Sequence, residues 1–175
     1  MIIMDLDPGE TVTFGQVVEA AIEVRGRLAQ LGLGAFVKTS GGKGLHVVSP
    51  LRPKADWEVV KAFCKSIADA MAADSPDRFI ATITKSKRRG KVLVDYLRNG
   101  RGATAVAAYS TRARPGAAVS MPLGWEEIGS VSGAAYFTVG NAVTRLAHLR
   151  SDPWEEFRRA AVPLSTSKRR KSRAT

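Results

Sequence analysis

Two aspartates, Asp5 and Asp7, stand two residues apart in an apolar run that begins at Ile2 and is cut off by Pro8 and Gly9. Such a run predicts a strand, and side chains at positions i and i+2 of a strand point to the same face, about 7 Å apart at roughly 3.3 Å per residue. Asp is a poor strand former, so strand stability does not explain the pair. The pattern therefore predicts two carboxylates able to grip one metal centre, although a strand end with two solvated acids would look the same.

The charge balance of the chain indicates an anionic partner. Among 175 residues there are 27 Lys and Arg against 16 Asp and Glu, which gives a net charge of +11. An excess of this size favours nucleic acid first and an anionic membrane surface second. No apolar stretch approaches the ~20 residues that span a bilayer, and the N-terminus lacks a signal region, so we expect a cytoplasmic protein without a membrane partner. The single cysteine, Cys64, excludes a disulfide framework.

The remaining pattern predicts an α+β fold, a mixed or antiparallel sheet flanked by helices. Strands are predicted at the N-terminus and over 35–40, 45–49 and 91–95. Helices are predicted over 13–31, 56–73, 139–149 and 152–160, with a shorter one after Pro76. The pattern of residues 103–112 fits either a strand or a helix. The polar and basic segment 165–175 is predicted as a disordered tail, so that the core spans residues 1–164.

A third acid, Asp95, closes the strand at 91–95 as Asp7 closes the first. Neighbouring strands lie about 4.8 Å apart, so the three carboxylates could meet at one sheet edge. Oxygen donors of this kind suit Mg²⁺ or Mn²⁺, which complete their coordination with water and substrate phosphates. Two such ions about 3.5 to 4 Å apart would support in-line displacement at phosphorus. The acids therefore indicate metal-dependent phosphate chemistry.

A glycine-rich segment joins the two short strands and contains Ser40, Gly41, Gly42, Lys43 and His46. Glycines let backbone N–H groups approach phosphate oxygens, while the lysine adds charge and the serine and histidine add donors. The segment is not a Walker A loop, because Val37 and Gly44 stand where that loop needs a glycine and a Ser or Thr. A phosphate-binding loop and a plain glycine-rich hairpin turn both fit.

Four segments follow one another in a recognisable order: 5–8 (Asp-Leu-Asp-Pro), 40–47, 94–99 and 109–116. Together they closely resemble the polymerase domain of bacterial ligase D, in the archaeo-eukaryotic primase superfamily, from Met1 to about Leu164. The resemblance implies a template-directed nucleotidyltransferase of non-homologous end joining. Such an enzyme adds nucleotides, often ribonucleotides, to a primer 3′ end using Mn²⁺ or Mg²⁺ as a two-metal site.

The resemblance also implies roles for individual residues. The catalytic, metal-binding carboxylates are Asp5, Asp7 and Asp95. The nucleotide-binding residues are Ser40, Gly41, Gly42, Lys43, His46 and Arg112, the last facing the triphosphate. Next to the third acid, Arg98 and Asn99 are candidate contacts to nucleotide or template.

A basic run, 85–91, precedes the strand of Asp95 and includes Lys87 and Arg88. Four residues of extended chain would place Lys91 about 13 Å from Asp95. We therefore expect this run to contact a DNA backbone rather than the triphosphate, with a solvated turn as the alternative.

The family domain has a large portion upstream of the Asp-x-Asp strand, whereas this chain begins almost on that strand. We therefore expect a fold incomplete at its N-terminus and little polymerase activity unless a separate N-terminal fragment is supplied. The expected partners are DNA ends, nucleoside triphosphates, an ATP-dependent DNA ligase and a Ku-like end-binding protein. A non-catalytic nucleic-acid-binding module is the alternative function. A two-metal nuclease would explain the acids but not the glycine-rich loop.

Overall fold

The computed structural model describes residues 1–164, and the predicted tail at 165–175 lies outside the described residues. The strands are β1 Ile2–Pro8, β2 Phe36–Thr39, β3 Leu45–Ser49, β4 Leu51–Arg52, β5 Phe79–Ile80, β6 Val92–Asp95, β7 Pro122–Leu123 and β8 Val162–Pro163. The helices are α1 Phe14–Gln30, α2 Trp57–Asp74 and α3 Val139–His148. Within residues 1–164, none of the helices has the length and apolar character needed to cross a membrane.

Six strands form one mixed sheet in the order β5-β6-β1-β3-β2-β7, and β4 and β8 form a separate parallel pair. Every neighbouring pair in the large sheet is antiparallel except β5 and β6. Because β1 and β2 both pair antiparallel with β3, they run parallel to each other, and α1 makes the crossover between them. The predicted α+β fold is confirmed.

The alternation of side chains along β1 separates the core from the opposite face of the sheet. Ile2, Met4 and Leu6 are fully buried in the hydrophobic core beside α1 and α2. Asp5 and Asp7 therefore project from the face that these helices do not cover. The helices begin where expected: Thr13 caps α1 through a capping box with Gln16, and the Asp56 carboxylate caps α2.

The prediction of a short helix after Pro76 is wrong. A turn leads directly into β5, where Phe79 is buried and pairs with Val92 in parallel. Two short parallel strands satisfy the backbone there, because the Val92 N–H donates to the Arg78 carbonyl at 2.8 Å. Tertiary pairing therefore overrides the local preference of this segment.

The helix predicted over 152–160 is also absent, whereas the helix over 139–149 is confirmed as α3. Residues 153–160 form successive turns, in which the N–H groups of Glu155 and Phe157 donate to i−3 carbonyls and that of Ala160 donates to an i−4 carbonyl. Trp154 and Phe157 stack at 5.0 Å and both meet Phe36 edge-on. This aromatic cluster fixes the turns against β2.

Candidate active site

Four polar residues stand opposite one another across four adjacent strands. Lys38 on β2 pairs with His46 on β3, His46 pairs with Asp5 on β1, and Asp5 pairs with Asp95 on β6. All four are buried, with between 3% and 6% of each residue exposed. We call these four residues the polar row. Burying ionisable groups is costly unless they are paired, so the contacts of the row determine what it can do.

Arg98 joins the two acids of the row. Its Nε donates to Asp5 Oδ2 at 3.2 Å and lies 3.3 Å from Asp95 Oδ2. The arginine reaches them because the chain turns tightly after β6, where Asp95 Oδ1 accepts the Leu97 N–H at 2.7 Å. The Arg98 guanidinium thus neutralises charge on both carboxylates.

Asp5 keeps one oxygen without an aligned donor. His46 Nε2 lies 3.3 Å from Asp5 Oδ1, but within residues 1–164 this buried oxygen has no hydrogen-bond partner of good geometry. Burial raises the pKa of Asp5, yet the neighbouring His46 and Arg98 outweigh burial and hold that pKa below its usual value. Asp5 is therefore ionised and has a free acceptor.

The other two acids behave differently. Burial raises the pKa of Asp7, and the charge of Asp5 raises it further; burial is also the main cause of the raised pKa of Asp95. The three acids share one sheet face, as predicted, although the face lies in the middle of the sheet rather than at an edge. Within residues 1–164 no three acids or histidines are gathered as a ready-made metal cluster, and Arg98 lies between Asp5 and Asp95.

A cavity of about 1240 Å³ opens over this face and is lined by Asp5, Asp7 and His46. Seven cationic side chains also line it, against three carboxylates including that of Glu10. The cations are Lys43, Lys85, Arg88, Arg89, Arg98, Arg112 and Arg114. Walls of one predominant sign concentrate a ligand of the opposite sign, so the cavity suits a polyanion.

The glycine-rich loop borders the cavity. Two of its N–H groups, expected to approach phosphate oxygens, instead form hydrogen bonds within the loop. Ser40 Oγ accepts from the N–H groups of Gly42 and Gly44, both at 3.2 Å, so these donors close the loop. Gly41 has φ of +63°, and a Cβ there would lie 2.8 Å from Cγ of Arg112. The glycines therefore shape the loop and make room for Arg112, whose Nη1 donates to the Ser40 carbonyl at 3.1 Å.

The basic run at 85–91 lies close to the acids, although the distance counted along the chain from Lys91 to Asp95 indicated a separation of about 13 Å. β1 runs antiparallel to β6, so Pro8 pairs with Val92 and the run meets the end of β1 beside Asp7. Arg88 Nη2 lies 4.0 Å from Asp7 Oδ2, and Arg88 lines the cavity. Lys87 is exposed outside the cavity lining. Lys85 and Arg89 of the run also line the cavity, and the contact of the run with a DNA backbone stays a prediction.

Asn99 has a structural role in place of the predicted nucleotide or template contact. It is 2% exposed, its Oδ1 accepts the Ile3 N–H at 2.8 Å, and its Nδ2 donates to the carbonyls of Ile3 and Tyr96. The side-chain amide thereby continues the hydrogen bonding of β1 beyond the last pair with β6. These contacts leave it turned away from the cavity, whose lining does not include it.

Lys38 is the functional candidate that the sequence interpretation missed. It lies between Val37 and Thr39, and its buried Nζ contacts His46 Nδ1 at 3.0 Å. The predicted strands at 35–40 and 45–49 form a hairpin whose centre is residue 42, which places residue 38 opposite residue 46. This register was the available signal, because it puts a lysine beside the candidate histidine.

Fold and site together define an α+β domain whose sheet presents buried acids beneath a cationic cavity, an arrangement suited to a phosphate-bearing ligand. The chain belongs to the family described as LigD, primase-polymerase domain, whose model matches residues 1–154. The resemblance to the ligase D polymerase domain is thereby confirmed.

Curated relatives agree with this assignment. The chain is 41% identical over 169 residues to the multifunctional non-homologous end joining protein LigD of Pseudomonas aeruginosa, covering 96% of this chain and 20% of the relative. It is 33% identical over 146 residues to the bifunctional LigD of Bacillus subtilis, covering 83% and 24%. The chain thus spans about a fifth to a quarter of these relatives.

A solved structure agrees as well. The polymerase domain of Mycobacterium tuberculosis ligase D, in complex with DNA, superposes with a TM-score of 0.81 at 35% identity. The match covers 89% of this chain and 54% of that domain. The likeness confirms the fold.

Proposed function

We propose that this chain carries the nucleotidyltransferase centre of a template-directed polymerase of non-homologous end joining, which adds nucleotides to a primer 3′ end with Mn²⁺ or Mg²⁺. The observation that carries the proposal is the pairing of Asp5 with Asp95 on adjacent strands, where Asp5 lines a cavity whose charged side chains are mainly Lys and Arg. The family assignment supports it.

The donor set fits a hard divalent cation. Asp5 is ionised and presents a buried oxygen without an aligned donor, and Asp7 lies on the same face of β1. Carboxylate oxygens are the ligands that Mg²⁺ and Mn²⁺ prefer. Asp5, Asp7 and Asp95 would hold the ions, with Arg98 giving up its contacts to the acids. When bound, the ions would supply Lewis-acid activation and charge neutralisation at phosphorus.

The cationic residues of the cavity would hold the triphosphate. Arg112 is fixed by its bond to the Ser40 carbonyl, and Lys43 lies on the adjoining loop. Once released from the acids, Arg98 could donate to phosphate oxygens from the same wall. Positioned donors of this kind stabilise charge that develops on the leaving pyrophosphate. No side chain is required as a covalent nucleophile.

DNA would approach along the basic run. Lys85 and Arg89 line the cavity mouth with Arg88, and Lys87 extends the positive surface outward. Lysine and arginine contacts to phosphates give affinity without sequence preference and with strong salt dependence. The solved relative in complex with DNA supports this partner.

Nucleotide binding tests the proposal. We expect the chain to bind a nucleoside triphosphate in the presence of Mn²⁺, and Asp5→Ala to abolish that binding, measured by titration calorimetry. Glu10→Ala is the matched control, because Glu10 lines the same cavity outside the polar row. The control variant should bind the nucleotide normally.

A non-catalytic DNA-binding module gives a different result. It is favoured by Arg98 lying between the two acids, where an ion would otherwise fit. Such a module would bind DNA with an affinity that falls as salt rises and that is unchanged in Asp5→Ala. It would show no Mn²⁺-dependent nucleotide binding. That combination of results would overturn the polymerase proposal.

A further inference from the structure

The buried ammonium of Lys38 has three hydrogens and three neighbouring acceptors. Nζ lies 3.0 Å from His46 Nδ1, 2.9 Å from the Val106 carbonyl oxygen and 2.8 Å from Ser120 Oγ. A carbonyl oxygen can only accept. Ser120 donates its own hydrogen to the Thr39 carbonyl at 2.7 Å, so its oxygen must accept from Lys38. The third hydrogen of the ammonium is left for His46.

This count of hydrogens decides which nitrogen of His46 carries a proton. If Nδ1 accepts from Lys38, it has a lone pair, and the ring hydrogen is on Nε2. Nε2 is the nitrogen that lies 3.3 Å from Asp5 Oδ1. The ring hydrogen is therefore on the side of the ring nearer Asp5, without the alignment of a hydrogen bond to Oδ1, and Nε2 has no lone pair to offer a metal ion.

We propose that Lys38 is a positioning residue that fixes His46 in the Nε2–H tautomer, so that the ring hydrogen is on the nitrogen nearer Asp5 and His46 cannot act as a metal ligand. The tautomer follows from contacts within the chain alone. The consequence for metal ions rests on the proposed function, in which Asp5 holds one.

The setting of Lys38 supports this role. Lys38 and His46 are each 3% exposed, so water does not compete for their contact. Burial lowers the pKa of Lys38 to about 8, with Asp5 opposing and Arg112 reinforcing that change. The form with three hydrogens is therefore the favoured form of this amine at neutral pH.

The arrangement would also select the metal. Imidazole nitrogen is a favoured ligand of Zn²⁺, whereas Mg²⁺ and Mn²⁺ prefer oxygen. A histidine held with its hydrogen toward Asp5 leaves an all-oxygen protein site. Lys38 would thereby disfavour Zn²⁺ without touching any ion.

Nuclear magnetic resonance of imidazole nitrogens tests the tautomer directly. The chain has two histidines, and His148, whose Nδ1 contacts the Thr144 carbonyl at 2.7 Å on the exposed end of α3, serves as internal reference. Spectra are recorded on the full chain at neutral pH without metal or nucleotide. We expect a pyridine-type Nδ1 and a pyrrole-type Nε2 for His46. A pyrrole-type Nδ1 in the wild type would overturn the proposal, without any variant being needed.

Two variants test the part played by Lys38. Lys38→Met removes the donor, so the His46 Nδ1 resonance should move away from its wild-type position, while Lys38→Arg retains donors and should keep the wild-type pattern. The His148 resonances should stay fixed in both variants. A His46 pattern in folded Lys38→Met identical to wild type would show that Lys38 does not set the tautomer.

Metal binding provides the second readout. Lys38→Met should raise the affinity for Zn²⁺ relative to Mn²⁺ by about tenfold, measured by calorimetry, as expected for loss of a residue that orients a neighbour of the ligands. Failure of both metals to bind, with the tautomer as expected, would refute the proposed function and leave the assignment to Lys38 intact. A pyrrole-type Nδ1 on His46 together with Asp5-dependent Mn²⁺ binding would refute the assignment to Lys38 and leave the proposed function intact.

Discussion

Arg98 contacts two carboxylates at once, so its removal tests the charge balance of the site. Arg98→Met retains an unbranched apolar side chain and deletes the guanidinium. Asp5 and Asp95 are cross-strand neighbours on β1 and β6, and each lies within 3.3 Å of Arg98 Nε. In the variant, the two carboxylates would face each other without that cation.

The expected cost follows from the geometry of the pair. Directly opposite residues have Cβ atoms about 5 Å apart, and two unit charges at about that distance repel by ~3 kcal/mol at an effective dielectric of ~20. The Arg98 side chain is 39% exposed, so solvent screens part of this repulsion. Protonation of Asp95, whose pKa burial already raises, relieves more of it. We expect the free energy of unfolding to fall by about 1–2 kcal/mol.

Urea unfolding at neutral pH, with chelator and with excess Mn²⁺, provides the measurement. The deficit of Arg98→Met should appear in chelator and shrink with Mn²⁺, because an ion bound to the folded state replaces the missing positive charge. Lower pH should also shrink it, since the variant raises the folded-state pKa of Asp95 further above its unfolded value, and protonation removes the repulsion. Arg88→Met is the control, with a contact of only 4.0 Å to Asp7 and an expected loss below ~0.5 kcal/mol. A variant as stable as wild type in chelator would refute the charge-balance argument.

Two further predictions concern the backbone around the row. Asn99→Ala should lower the free energy of unfolding by about 2–4 kcal/mol, because it leaves the N–H and carbonyl of Ile3 without their side-chain partner, whereas Asn141→Ala at the exposed start of α3 should cost about 1 kcal/mol. Equal losses in urea titrations would contradict the structural role of Asn99. Gly44→Ala should cost at least ~3 kcal/mol, because its Cβ would lie 1.8 Å from the Leu6 carbonyl oxygen and force β3 from β1. Gly102→Ala, with φ of +78° and no atom within 4 Å of the added Cβ, should cost only about 1 kcal/mol, and a similar loss of thermal stability in both variants would count against the steric argument.

Local periodicity explains why much of the fold could be predicted. The alternation of Ile2, Met4 and Leu6 with the acids of β1 places core and site on opposite faces, whatever the strand pairs with. The caps of α1 and α2 are likewise local, so both helices begin at the predicted residues. The prediction of a helix over 152–160 was wrong because contacts of Trp154 and Phe157 with Phe36, more than 100 residues away in sequence, determine the shape of this segment.

Pairing between distant strands explains the residues that were missed or misplaced. The hairpin register sets Lys38 against His46 locally, but its placement in a row with Asp5 and Asp95 needs β1 inserted between β3 and β6. The same insertion brings Arg88 to Asp7 and gives Asn99 the free end of β1 to bind. A distance counted along one strand cannot show either contact, because each joins residues on different strands or turns. Periodicity along β1 could therefore identify the acids of the site. The cations beside them could be identified only from the order of the strands in the sheet.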